Sequence, residues 1–178
     1  MKALIDEGCE NMAVSHGFTT ILAIDPGNTE SGFALINMPE FQLVEFGKVE
    51  NERLLQNIPF LAGQADHFAI EMVASYGMPV GKDVFETCVW IGRFIQAAEK
   101  QHHFVYRKDE KMCLCHDSRA KDSNIRQALI DRYAKFDFKN GKGTKKKPDT
   151  FYGVSKDVWQ AIAVGVTYYE RKEDHDDD

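Results

Sequence analysis

Apolar residues fall in short runs through the first half of the chain and recur at helical spacing through much of the second. Thr20-Ile21-Leu22-Ala23-Ile24 predicts a buried strand, stopped by the turn residues Asp25-Pro26-Gly27. Gly32-Phe33-Ala34-Leu35-Ile36 predicts a second strand, broken by Met38-Pro39-Glu40. Phe41 to Val49 reads as a third, alternating through Leu43, Glu45, Gly47 and Val49. The short connections favour an antiparallel meander. Leu54, Leu55, Ile58 and Leu61 have helical spacing within Glu50 to Ala62, and Pro59 is expected to shorten or bend that helix. His67-Phe68-Ala69-Ile70 predicts a fourth strand running into Glu71. After a loop with Tyr76, Gly77, Pro79 and Gly81, residues 82–100 read as a long helix that buries Val84, Phe85, Cys88, Val89, Ile91, Phe94 and Ile95. Phe104-Val105-Tyr106 is a fifth strand, and Ser118 to Tyr133 a helix. Lys139 to Pro148 is a loop rich in glycine and lysine, and a last helix runs from about Ser155 to Tyr169.

This order predicts an α/β domain with a mixed five-stranded sheet, an antiparallel meander joined to parallel strands and flanked by helices. The domain is expected over residues 20–169. An arm over 1–19 shows no period, and an acidic tail over 170–178 is expected to be disordered. The length of 178 residues and the 43% hydrophobic content suit one such core. No apolar run approaches the ~20 residues that span a bilayer, and Met1 to Thr20 does not read as a signal peptide. A cytoplasmic setting is therefore expected. Cys113-x-Cys115-His116 has half the spacing of a zinc site but lacks a second pair, so these thiols are expected in a strand near the core.

The net charge of −6 is unevenly spread. Residues 1–99 carry five Lys+Arg against fourteen Asp+Glu, whereas 100–147 carry fourteen against six. The second segment is thus a basic surface within an acidic chain, suited to a polyanion.

Three acids stand where an acid is costly. Asp25 and Glu71 each follow an apolar strand directly, and Asp157 opens a helix that continues as Ala161-Ile162-Ala163-Val164. Each has a structural explanation as well: a turn former, a strand-end charge, a helix N-terminal charge. Together, three carboxylates suit magnesium or manganese, and two such ions ~3.5–4 Å apart can act on a phosphodiester.

Residues Ile21 to Ala34, with Asp25-Pro26-Gly27 at their centre, resemble the opening of RuvC-type Holliday junction resolvases. Ala69-Ile70-Glu71 resembles the second motif of that family, and Asp157-Val158-Trp159-Gln160-Ala161-Ile162-Ala163-Val164 its C-terminal helix. Residues 73–81 and 118–126 look more like the bacteriophage branch than the cellular one. The resemblance spans about residues 20 to 169. It implies an RNase H-like fold and a crossover junction endodeoxyribonuclease acting on branched DNA in recombination. It also implies Asp25, Glu71 and Asp157 as catalytic metal ligands for Mg2+ (or Mn2+), two ions per site. A phage enzyme would work in the host cytoplasm. The cellular enzymes of the family carry a second aspartate three positions after the first on the last helix, and Gln160 stands there. Its carbonyl can reach a metal-bound water but brings no charge. Asp149 and Asp83 are the spare acids.

Candidate DNA contacts are Lys111, Arg119 and Lys121 around the fifth strand and the helix after it, and Lys145 and Lys146 in the lysine loop. Tyr76 is placed to stack on an unpaired base. Symmetric cutting of a four-way junction implies a homodimer, with helix 82–100 as a candidate interface. No membrane and no small-molecule cofactor is expected. The alternatives are an RNase H-type hydrolase of another nucleic acid and a DNA-binding scaffold with a decayed site. An ATP-binding domain of actin type needs a second glycine-rich phosphate loop and a longer chain.

Overall fold

The computed structural model of the chain describes residues 18–75, 77 and 79–176, with the backbone alone for 156 and 173–176. Most of the predicted arm and the candidate Tyr76 lie outside the described residues. Strands β1 (Thr19–Asp25), β2 (Glu30–Met38) and β3 (Gln42–Glu50) form the predicted meander. Helix α1 (Asn51–Gln64) leads to β4 (His67–Met72), and α2 (Lys82–Ala98) to β5 (His102–Tyr106). Then come α3 (Arg107–Cys115), α4 (Asp122–Tyr133) and α5 (Lys156–Asp176). The sheet order is β3-β2-β1-β4-β5, with β4 parallel to both β1 and β5.

Alternation along the strands builds two cores. Leu22, Ile24, Phe33, Leu35, Phe68 and Ile70 pack against Leu54, Ile58 and Leu61 of α1 and Ile91 and Phe94 of α2. Ile21, Ala23, Ala34, Ile36, Ala69 and Val105 face α5, with α3 and α4 outside it. Each fully buried Leu, Ile or Phe contributes about 1.5–3 kcal/mol. The α5 face is lined by small residues because the helix lies close: a Cβ at Gly165 would come within 2.8 Å of Ile36 and 3.1 Å of Ala23. Since β1 and β4 are central and covered on both faces, a polar side chain at their ends is desolvated.

Five expectations change. Helix α2 turns Phe85 and Val89, expected to be buried, to the surface, because its inner face is filled by Thr87, Ile91, Phe94 and Ala98. Helix α1 continues through Pro59, because Leu54, Ile58, Leu61 and Ala62 are buried along it and outweigh the lost hydrogen bond. Cys113 and Cys115 lie on α3, a helix the short apolar content of 107–115 did not announce, and not in a strand. There the Cys113 thiol donates to Glu170 at 3.0 Å, and burial pushes it up to about 12, so it is a poor metal ligand. Helix α5 runs to Asp176, past the predicted end at Tyr169. Arg132 binds Glu170, and Arg171 reaches Asp109 at 2.8 Å, so the beginning of the acidic stretch is tied down. The lysine loop is also tethered. Asp149, 6% exposed, accepts the backbone N–H groups of Lys135, Phe136, Asp137 and Thr150 at 2.7–3.0 Å. Asp137 accepts those of Asn140, Lys142 and Gly143. Asp149 is therefore spoken for and no spare metal ligand. No helix among the described residues is long and apolar enough to cross a membrane.

Candidate active site

Asp25 and Glu71 leave neighbouring parallel strands at the same level, since Ile24 pairs with Ile70. By alternation both carboxyls point to the α5 face, as Ala23 and Ala69 do. The turn after Asp25 is locked by a buried network. Ser31 donates to Asn51 at 2.6 Å, Asn51 donates to the Gly27 carbonyl at 2.9 Å, and the Gly27 N–H donates to Ser31 at 3.1 Å. The two carboxyls hydrogen-bond each other. Burial, then the Glu71 charge and hydrogen bond, push Asp25 up to about 8, so without a cation the pair keeps a proton. Burial also raises Glu71, opposed by the Asp25 hydrogen bond and by Arg107.

Asp157 reaches the same corner from α5. Asp25, Gly32 and Lys48 form one row across β1, β2 and β3. The first turn of α5 lies over that row: a Cβ at Gly32 would stand 2.5 Å from the Asp157 carbonyl oxygen. Asp157 adds to the field on Asp25. Its carboxylate, 42% exposed, is turned to Lys48 at 3.0 Å, and Lys48 also binds Glu30 at 2.8 Å. These two carboxylates raise the Lys48 pKa, so it stays charged. Gly32→Ala is expected to destabilise the fold by about 1–3 kcal/mol. A urea melt reads this, and an unchanged midpoint would mean the start of α5 gives way freely.

Gln160 meets neither Asp25 nor Glu71 but Arg107, at the first position of α3. The Arg107 guanidinium donates to Gln160, Glu110 and Asp122. Glu110 is fully buried, its other oxygen has no hydrogen-bond partner, and both Glu71 and Asp25 bear on its charge. Burial first, then the Glu71 charge, raise Glu110 well above the usual carboxylate range. Among the described residues no three Asp, Glu, His or Cys side chains are already gathered as a ligand set. Asp25 and Glu71 touch, while Asp157 is held by Lys48.

Of the candidate DNA contacts, Lys111 shares a cleft with one of the acids. It lines a cleft of about 380 Å³ with Glu71 and Arg107. Arg119 is 93% exposed and, among the described residues, pairs with Asp117 at 3.8 Å. Lys121 precedes α4, where its backbone N–H donates to Asn124. Lys145 and Lys146 are exposed on the tethered loop. A second cleft, of about 550 Å³, runs from Gln160 and Asp122 past Arg126 and Trp159 to Lys139 and Asn140. Asp83 sits in the first turn of α2 and takes no part. Sequence reasoning missed Lys48 and Glu110. Lys48 was findable only through strand register, and Glu110 only by seeing 107–115 as a helix that sets it one turn from Arg107.

Two solved structures of RuvC from Thermus thermophilus resemble the chain. The one in complex with a Holliday junction substrate has a TM-score of 0.63 at 14% identity, covering 87% of this chain and 96% of that one. The other has a TM-score of 0.63 at 15% identity, covering 87% and 97%. No protein-family model and no curated protein matches the sequence. The likeness establishes an RNase H-like, RuvC-like fold.

Proposed function

We propose that this protein is a divalent-cation-dependent endonuclease that cuts four-way and other branched DNA. The observation that carries the reading is the buried Asp25–Glu71 pair at adjacent strand ends. Two carboxyls pressed together away from water need a proton or a cation between them. Oxygen donors select Mg2+ or Mn2+. Asp25, Glu71 and Asp157 would hold the ion, the last by exchanging Lys48. The bound ion would offset negative charge on a phosphate under attack by water. Arg107 and Lys111, on the wall beside Glu71, would bind and orient that phosphate. Lys145 and Lys146 extend the positive surface for flanking DNA, and Arg119 and Lys121 do so at the start of α4. The likeness of residues 73–81 and 118–126 to the bacteriophage branch of RuvC-type resolvases supports a phage enzyme working in the host cytoplasm. The T. thermophilus protein with the same fold is bound to a Holliday junction.

The test is cleavage of a four-way junction with and without Mg2+, beside linear duplex and an RNA–DNA hybrid. Mg2+-dependent cutting of the junction alone is expected. Preference for the hybrid would make the protein an RNase H-type hydrolase, and binding without cutting a scaffold.

Symmetric cutting needs two copies. Helix α2 buries Ile91 and Phe94 inside the chain but leaves Phe85 and Val89, four residues apart on one face, 61% and 62% exposed. This face is our proposed dimer interface. Phe85→Glu with Val89→Glu is expected to halve the mass in analytical ultracentrifugation and to abolish paired incision. An unaltered mass would move the interface elsewhere.

A further inference from the structure

We propose that Arg107 is a resident cation of the site. Its guanidinium fills, among Gln160, Glu110 and Asp122, the place a second divalent ion would take, so each chain holds a single exchangeable ion on Asp25, Glu71 and Asp157. The inference rests on the cation-dependent reading above and goes beyond it in the number of ions.

Three observations converge. Arg107 is held by three partners: one terminal nitrogen donates to Glu110 and Gln160, the other to Asp122, and 23% of the side chain stays exposed. A planar guanidinium held by three partners is a fixed charge, unlike a lysine ammonium on a flexible stem. Glu110 is fully buried, and Arg107 is the one cation hydrogen-bonded to it among the described residues. Removing the guanidinium would strand that carboxylate, whose second oxygen already has no partner. Gln160 is neutral and presents its oxygen to Arg107. An amide oxygen suits a guanidinium donor, whereas a second dication would want a carboxylate there and would be repelled by the charge already present. The neutral amide at 160 and the fixed arginine against it thus form one arrangement. Glu71 lines the same cleft as Arg107, so the fixed charge stands where a phosphate would meet the exchangeable ion.

Counting bound Mn2+ on the full chain, from the loss of the free-ion EPR signal during titration, tests this. One ion per chain is expected for the unaltered protein. Arg107→Gln releases Glu110, Asp122 and Gln160 and is expected to bind two, while Arg107→Lys, which keeps the charge, stays at one. Two ions in the unaltered protein would overturn the inference but leave the nuclease reading standing. So would a count that stays at one in an Arg107→Gln variant with an intact thermal transition. Should that variant not fold, the count on the unaltered protein decides. No bound Mn2+ in the unaltered protein would remove the cation-dependent reading itself.

Discussion

Asp25→Asn is expected to lower junction cleavage by at least about a thousandfold, the equivalent of about 4 kcal/mol of transition-state stabilisation. Junction binding should stay within a few-fold. The substitution keeps shape and burial but removes a charge that the ion requires. Glu71→Gln and Asp157→Asn are expected to act alike, since each withdraws one of three proposed ligands. Single-turnover cleavage and a gel-shift titration on the same preparations separate the two effects. Retained cutting in any of the three would take that residue out of the site.

The Asp25 variant carries a second signature. A carboxyl raised to about 8 in the folded, cation-free protein binds its proton more tightly than in the unfolded chain, where about 3.9 is ordinary. Stability of the cation-free protein should therefore fall as pH rises from about 4 to about 8, and stay flat in this respect above that. Asp25→Asn removes this slope, so its melting temperature at pH 8 should exceed that of the unaltered protein. The same proton must leave when a cation binds, so Mn2+ affinity should climb with pH towards 8. An unaltered pH slope in the variant would place the titrating group elsewhere. A site that is destabilising when empty is a common mark of function held at the expense of stability.

The second large effect is structural. Asp149→Ala is expected to destabilise the protein by about 4 kcal/mol, read by urea or thermal melts. It leaves the N–H groups of Lys135, Phe136, Asp137 and Thr150 without their acceptor. Buried donors left unpaired cost about 1–3 kcal/mol each, less where water enters. Those N–H groups hold the Asp149 pKa far below the ordinary carboxylate value. Its contribution is thus fully present above about pH 4 and is lost as acid protonates it below that. Asp149→Asn, which keeps one carbonyl oxygen, should lose less. Equal stability in the Ala variant would mean the turn around residues 135–150 is held by other contacts.

Much of the architecture was legible because it is written in period. The continuous apolar runs of β1, β2 and β4, the alternation of β3 and the helical spacing of α2 and α4 each follow from burial on one face or two. The acids at 25, 71 and 157 stood out for a related reason, since each interrupts or abuts an apolar run. Helix α3 escaped because Arg107 to Cys115 holds only Leu114 and Glu110 inside, and a buried glutamate looks like a surface one in sequence. The charge partners escaped for a different reason. Lys48 meets Asp157 across a strand register, and Arg107 meets Gln160 across 53 residues, so neither pairing leaves a local trace. The reach of α5 to Asp176 depends on ion pairs to α3 and α4, which charge composition alone reads as repulsion and disorder.

The level pairing of Ile24 with Ile70 has an evolutionary corollary. Strands in a sheet sit about 4.8 Å apart whatever their side chains, so the gap between two acids borne on neighbouring strands is inherited from the backbone itself. Such a pair keeps its gauge while almost every surrounding residue is exchanged. The consequence is that ancestry in a protein built this way survives longest as geometry, outlasting the point at which its letters can be aligned.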